Sequence, residues 1–477
     1  MTLPSSRIKN PDAIVVGSGP NGLAAAITIA RAGRSVVVYE AENTIGGGER
    51  SAELTLPGFV HDICSSVHPM GAASTFFRSI PLQEFGAEWL DPEACVAHPF
   101  DDGTAISVTR SLDETAAQFG PDQQAVRDLL VPFVGCWDEL SSEILRPARL
   151  PHHPWLLARF GRLALMPALR LALRKFKTGK ARTVFAGMAA HSKMPLTAWG
   201  SASFGIVLWA TCHSVGWPFV RGGSQALTNA LAAYLRKLGG EVVCGARVHA
   251  LDELPKSPVV LCDVTPRQFL EMAGNRVSSA ECRRLGRYHY GPGVFKIDWS
   301  LDGRIPWNAP ACARAGTVHL GGSLEEIVKS ERAASGESPA ELPFVLITQP
   351  SLFDATRAPS GKHVAWGYCH VPLGCRIDVA ERIETQVERF AAGFRRRIIG
   401  RSVMNPAGLQ QHNANLIGGD ISGGSMSLSR LLIGSARRAY ITSVKGVFLC
   451  SSSTPPGPGV HGLCGYFAAR LANERCF

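Results

Sequence analysis

Four groups of residues have types and spacings that can do chemistry. The first is Gly17-Ser18-Gly19-Pro20-Asn21-Gly22, a GxGxxG turn between an apolar strand at Ala13 to Val16 and an alanine-rich helix at Leu23 to Ala32. In such a turn Gly17 permits the tight bend, Gly19 lets the backbone approach a pyrophosphate, and Gly22 lets helix and strand pack closely. The N–H groups and positive end of the new helix then hold the phosphates. A second β-branched run, Ser35 to Tyr39, ends in Glu40-Ala41, at about the 20-residue spacing of a dinucleotide-binding βαβ unit. Glu40 can accept hydrogen bonds from ribose hydroxyls and repels a 2′-phosphate, so FAD or NAD suits this turn and NADP does not.

The second group is Gly46-Gly47-Gly48 with Glu49 and Arg50, where three consecutive glycines imply positive φ or a close backbone approach. The third lies at the other end of the chain. A strand at Gly446 to Cys450 is followed by Ser451, a Gly/Pro-rich turn containing Gly459, Val460 and His461, and an apolar helix to Leu471. That geometry brings a second helix start to a ligand and fits a flavin, whose reduced ring gains from N–H donors at its N1/C2=O edge. The fourth group is dispersed: His61, His68, Tyr368, His370 and His461 are candidate cavity residues, with His461 first because its turn must approach the ring. For each histidine alone, a satisfied structural role competes with catalysis. A Gly-rich loop at Asn413 and Gly418-Gly419-Asp420 is either interior or a surface turn. No Cys/His cluster has metal spacing, so no metal is expected.

These residues need elements to position them. Buried strands reappear at Glu241 to Cys244, with Arg247-Val248 completing a strand or hairpin, and at Val259 to Asp263, after a long insertion. The nucleotide domain is therefore split in sequence. Within the insertion, Ser111 to Phe119 and Gln123 to Leu145 read as helices. Pro154 to Lys177 reads as a pair of helices broken near Pro167, its apolar residues interleaved with arginines and lysines. Such a surface can lie on an anionic bilayer, or can pack its apolar side on a core with its basic side in water. Met194 to Val220 carries no Lys, Arg, Asp or Glu, but its prolines and glycines favour a buried helix over a membrane span. Ser224 to Leu238 is an amphipathic helix. Val294 to Trp299, Phe344 to Gln349 and His363 to His370 alternate as antiparallel strands do, and Ser323 to Glu331 and Ala380 to Ile399 read as helices.

Composition excludes several classes. With 45% hydrophobic and 18% charged residues in 477, the chain is globular and long enough for two or three domains. The net charge of +10 comes without a run of five like charges or an aromatic-interleaved basic patch, so nucleic acid is not an expected partner. Thirteen cysteines, an odd number without a CxxC pair, and an N-terminus lacking an apolar leader point to a reducing cytoplasm. Only one GxGxxG is present, which disfavours a two-nucleotide reductase.

The segments DAIVVGSGPNGLAAAITIARAGRSVVVYEA, IGGGERSAELTLPGF, PFVRGGSQALTNALAAYLRKLGGEV and VFLCSSSTPPGPGVHGLCGYFAARLA resemble the phytoene desaturase family of FAD-dependent oxidoreductases, which includes carotenoid desaturases and isomerases. The nearest subgroup is that of the pyridine nucleotide-disulphide oxidoreductase-domain protein. The resemblance implies an α/β fold: a glutathione-reductase-like, Rossmann-type FAD domain, discontinuous in sequence, with an inserted α+β substrate domain. The expected division is 10–70, 221–285 and 411–477 for the FAD domain, 71–220 for a mainly helical cap, and 286–410 for an antiparallel-sheet substrate domain. Implied cofactor contacts are Gly17, Gly19, Pro20, Asn21, Gly22, Glu40, Ala41, Gly46, Gly47, Gly48, Arg50, Val248, Ser451, Gly459, Val460 and His461. Carotenoid desaturases usually have Arg directly after the glycine pair, whereas this chain has Gly48-Glu49-Arg50.

The expected reaction is desaturation of a lipophilic or polyene-like substrate, with hydride transfer from C–H to flavin N5 and reoxidation by oxygen or a quinone. A flavin amine or amino-acid oxidase and a redox-neutral flavin-dependent isomerase are the alternatives.

Overall fold

The valine-rich runs around the first turn form strands because both of their faces are covered, the pattern of a parallel α/β sheet. A computed structural model of the chain describes residues 3, 4, 6–427, 430 and 437–477. Parts of the N-terminal stretch and of the 411–477 segment therefore lie outside the described residues. Among those described, five strands make one parallel sheet in the order Val447–Leu449, Val259–Cys262, Ala13–Val16, Val36–Tyr39, Glu241–Val243. Three remote stretches of chain thus share one sheet, as the split nucleotide domain requires.

The first helix, Pro20–Arg31, starts with proline at its first turn, where a missing N–H costs nothing, and is buried from Asn21 to Ala30. It can be buried so completely because it is built from small residues. The last helix, Leu463–Cys476, lies directly on it: a Cβ on Gly465 would stand 1.7 Å from the Asn21 carbonyl oxygen. A Cβ on Gly22 would stand 2.0 Å from the Gly17 oxygen. Only hydrogen fits at either place.

The second sheet has seven strands, in the order Ile398–Met404, Gly293–Leu301, His363–Val371, Val345–Thr348, Ala315–Leu320, Ala94–Pro99, Ala105–Thr109. All neighbours are antiparallel except Ala315–Leu320 with Ala94–Pro99. Helices from Leu112 to Ser214 pack on this sheet around Phe133, Phe185 and Trp209. The buried helix expected near 194–220 is Ser201–Ser214, and no helix among the described residues is long and apolar enough to cross a membrane. Pro154–Ala164 and Ala168–Lys175 are the expected broken pair.

Several elements differ from expectation. Within the mainly helical 71–220 segment, the strands Ala94–Pro99 and Ala105–Thr109, not singled out from sequence, extend the second sheet. The run ACVAHP has little β-branching; pairing on both sides makes it a strand. Gln123 to Leu145 is two helices, Gln123–Val134 and Trp137–Ile144, because Pro132 breaks the ladder and Cys136 is non-helical. Ala380 to Ile399 is helical only to Phe390; Gly393 turns at φ +90°, and Ile398–Met404 pairs with Gly293–Leu301. Arg247-Val248 forms no strand.

The contact at Gly465 gives a direct test. Gly465→Ala should cost about 1–3 kcal/mol of stability, as overpacked core positions do, measured as a lower urea midpoint. Gly286→Ala, where a Cβ meets nothing within 4 Å, should leave the midpoint unchanged.

Candidate active site

The first turn builds one half of the site. Glu40 Oε2 accepts the Ser18 N–H at 2.8 Å and the Ser18 hydroxyl at 2.5 Å, while Oε1 accepts the Glu42 N–H at 2.9 Å. The carboxylate is thereby held at the strand tip with lone pairs remaining for a ribose. Gly47 faces Gly19, and a Cβ on Gly47 would lie 3.2 Å from the Gly19 Cα. Arg50 closes this slot by donating from Nε to the Gly47 oxygen at 3.0 Å and from Nη2 to the His412 oxygen at 2.7 Å.

Asp263 stands at the end of the Val259–Cys262 strand, and its Oδ2 accepts the Gly22 N–H at 2.9 Å. Burial raises its carboxyl to about 7, opposed by the Gly22 N–H and assisted by the negative charge of Glu40. An acid that titrates near neutral pH therefore sits at the helix start, where the phosphates would lie.

The cleft continues into one cavity of about 1030 Å³. Pockets for single ligands run to about 300–1,000 Å³, so this volume has room for a dinucleotide and a second molecule. Ser18, Glu40, Ala41 and Val248 line one end; Leu157, Phe160, Phe204, Val207 and Leu208 line an apolar arm at the other. Gly459 and Val460 from the last turn line it too. The Gly-rich loop is interior, with Asn413 lining the cavity and Gly419 and Asp420 buried.

The strand His363–Val371 presents alternate residues Trp366, Tyr368 and His370 to the cavity, the two-residue period of a strand face. Tyr368 has ring centroids 5.3 Å from Trp366 and 5.7 Å from His370. Behind His370, buried Glu331 Oε2 lies 2.8 Å from Nδ1, which makes Nδ1 the donor to the carboxylate. His370 Nε2 has no hydrogen-bond partner among the described residues. His191 Nε2 meets His319 Nε2 at 2.9 Å, and burial lowers His191 to about 3. Lys193 forms a buried ion pair with Asp420.

His68 also lines the cavity. Its Nε2 is 3.1 Å from Ser224 Oγ and its Nδ1 3.6 Å from Glu49 Oε2. Burial lowers His68 to about 4 and pushes Glu49 well above the usual carboxylate range, favouring the neutral form of each.

Comparisons agree with this geometry. Residues 15–80 match the family described as NAD(P)-binding Rossmann-like domain. Pyridine nucleotide-disulfide oxidoreductase domain-containing protein 2 of Rattus norvegicus is 24% identical, covering 96% of this chain and 93% of its own. Phytoene dehydrogenase of Streptomyces griseus is 25% identical, covering 74% and 71%. A putrescine oxidase with a redesigned cofactor site superposes with a TM-score of 0.63 at 16% identity, covering 98% of both chains, which shows a common fold. Over most of its length the chain is similar both to an oxidoreductase-domain protein and to a phytoene dehydrogenase.

FAD is the cofactor of this Rossmann-type oxidoreductase, and the residues present fit it. Gly19 and Gly47 touch backbone to backbone and both line the cavity, so a pyrophosphate can approach their main chains with no side chain in the way. Asn21 Oδ1 is buried at the helix start without a partner among the described residues. The first helix start and the Pro458 to Val460 turn that precedes the last helix border one cavity, as a molecule with an adenosine at one end and a flat ring at the other requires.

Not every expected residue reaches that cavity. Gly17, Gly19, Pro20, Asn21, Glu40, Ala41, Gly47, Gly48, Arg50, Val248, Gly459, Val460, His68, Tyr368 and His370 line it. Gly22 and Gly46 lie behind, Gly22 against the Gly17 oxygen and Gly46 donating its N–H to the Ser18 oxygen at 3.2 Å. Ser451 donates to the Val264 oxygen at 2.8 Å. His461 departs from its expected role as first catalytic candidate. Its Nδ1 accepts the Leu463 N–H at 3.0 Å, capping the last helix, and burial lowers it to about 4. His61 is turned toward Thr55 at 2.8 Å and also lies outside the cavity. Asp263, Glu331 and Lys193 were missed because their partners are far away in sequence. An aspartate ending the second nucleotide strand was the one available signal.

Asp263 predicts a pH dependence. Below pH 7 it is neutral; above, its negative charge faces the phosphates. Apparent FAD affinity should therefore fall by about tenfold from pH 6 to pH 8, equivalent to one pKa unit of coupling, in a fluorescence titration of the apoprotein. Asp263→Asn should flatten that profile.

Proposed function

We propose that this FAD-dependent oxidoreductase dehydrogenates a lipophilic, polyene-like substrate held in the apolar arm. The carrying observation is that arm itself, an extension of the cofactor cleft walled by Leu157, Phe160, Phe204, Val207 and Leu208. Bound beside it, the flavin supplies a two-electron oxidant that accepts hydride. The aliphatic walls bind the substrate by burial and exclude water. Trp366 and Tyr368 offer flat surfaces on which a conjugated chain can lie. His370 is the proton acceptor: Glu331 fixes its tautomer and orientation, and its free Nε2 can take the proton left as C–H becomes C=C. The balance of the reaction would require an external two-electron acceptor such as oxygen or a quinone.

A second reading, amine oxidation, is favoured by the likeness to putrescine oxidase and by the Trp366–Tyr368 ring pair. Hydrogen peroxide released on addition of an amine would support it, and isomer formation without net electron transfer would support the redox-neutral reaction.

Anaerobic mixing of the FAD-loaded protein with a polyene series should bleach the oxidised-flavin visible band and yield a product two hydrogens poorer. If only amines bleach it, the desaturase reading falls. His370→Ala should slow bleaching by about 10²–10⁴-fold, the contribution of a positioned base, with bound FAD unchanged. His461→Ala should lower thermal stability while leaving the rate per bound flavin intact.

A further inference from the structure

Charge is distributed unevenly along this chain. From residue 144 to residue 240 there is no Asp or Glu, but fourteen Lys and Arg, more than the whole net charge of +10. Much of that charge lies on Pro154–Ala164 and Ala168–Lys175. The solvent face of the first helix carries Trp155, Arg159, Arg162 and Leu165, spaced one helical turn apart. On the second, Arg170, Leu173 and Arg174 are exposed. None of Arg159, Arg162, Arg170 and Arg174 has an ion-pair partner among the described residues.

The same face exposes large apolar side chains. Leu150 is 89% exposed, Trp155 87% and Trp199 55%. Trp199 belongs to this surface because the next residue, Gly200, donates its N–H to the Leu165 oxygen at 2.8 Å. Here, too, the cavity meets the outside: Arg149 and Leu165 are exposed and also line it, together with Leu157, Gly161 and Gly200.

We propose that this face is a docking surface for an anionic lipid bilayer, with Leu150, Trp155 and Trp199 entering the headgroup boundary and the arginines pairing with lipid phosphates. Helices with Trp and Leu set among Arg and Lys bind at membrane interfaces in this way, by burial plus charge attraction. A second copy of the chain fits poorly, because a two-fold contact would place these unpaired arginines against themselves. Nucleic acid would leave the large apolar side chains in water. Docking would set the cavity mouth on the bilayer, the phase in which a lipophilic molecule is concentrated. The surface is inferred from charge and exposure, so it stands or falls separately from the reaction.

Vesicle flotation of the FAD-loaded full chain tests it. The protein should float with vesicles of phosphatidylcholine and phosphatidylglycerol, float less with phosphatidylcholine alone, and be released by salt. Arg159→Gln with Arg162→Gln should weaken binding by about thirtyfold, from about 1 kcal/mol per basic residue near a charged surface. Trp155→Ala should weaken it as well, with FAD content and melting temperature retained in each variant. No flotation with the anionic vesicles, or equal flotation of the variants, would overturn the proposal. So would a wild-type dimer that Trp155→Ala dissociates in analytical ultracentrifugation, or displacement from the vesicles by a short duplex RNA.

Discussion

The contact between Gly465 and the Asn21 carbonyl oxygen is the constraint on which the site depends. It lets the chain's last helix lie on its first with backbone touching backbone. The neighbouring positions are correspondingly small: Ala24, Ala25, Ala468, Ala469 and Ala472 are all buried. A larger residue at the crossing would tilt the last helix away and carry Gly459 and Val460 with it. Because the helices touch, the start of the first and the turn leading into the last line a single cavity, and two segments more than 400 residues apart form one cofactor site.

The cavity is also kept nearly free of net charge. Burial favours the neutral forms of His68 and Glu49, and likewise of His191 and His319, which share a hydrogen bond. Lys193 and Asp420 form a buried ion pair, and Asp420 also receives the Gly291, Ser422 and Gly424 N–H groups. An apolar ligand therefore meets few groups that would lose hydration on its entry. His370 differs from the other cavity histidines in having a carboxylate at one nitrogen and, among the described residues, no hydrogen-bond partner at the other. The insertion of Glu49 before Arg50 has a structural use as well, since Glu49 packs against His68 while Arg50 still reaches the Gly47 carbonyl.

Much of the cofactor half was legible from local sequence. The spacing of Gly17, Gly19, Gly22 and Glu40 encodes a turn whose function follows from backbone geometry within some 30 residues. The substrate half was much less so. Tyr368 and His370 stood out as alternating residues of a strand, but Glu331, which orients His370, lies on a separate helix. His461 was the instructive failure: its position in the turn was informative, while its side-chain direction was not. That direction was decided by the unpaired N–H of Leu463, a demand of the helix start that a histidine two residues earlier can meet.

The sequence by itself determined the fold class, the split nucleotide domain, the cofactor turn and the acid-free basic stretch. Each is a property of residues near one another along the chain, where periodicity, glycine spacing and charge are directly visible. Tertiary structure alone decided that ACVAHP is a strand, that Asp263 faces the phosphate end, that Glu331 stands behind His370, and that exposed Trp155 and Trp199 flank the cavity mouth. These outcomes depend on which distant surfaces exclude water from one another. Burial sets the cost of an unpaired charge or an empty hydrogen bond, and it exists only once the sheets and helices have closed around the cavity.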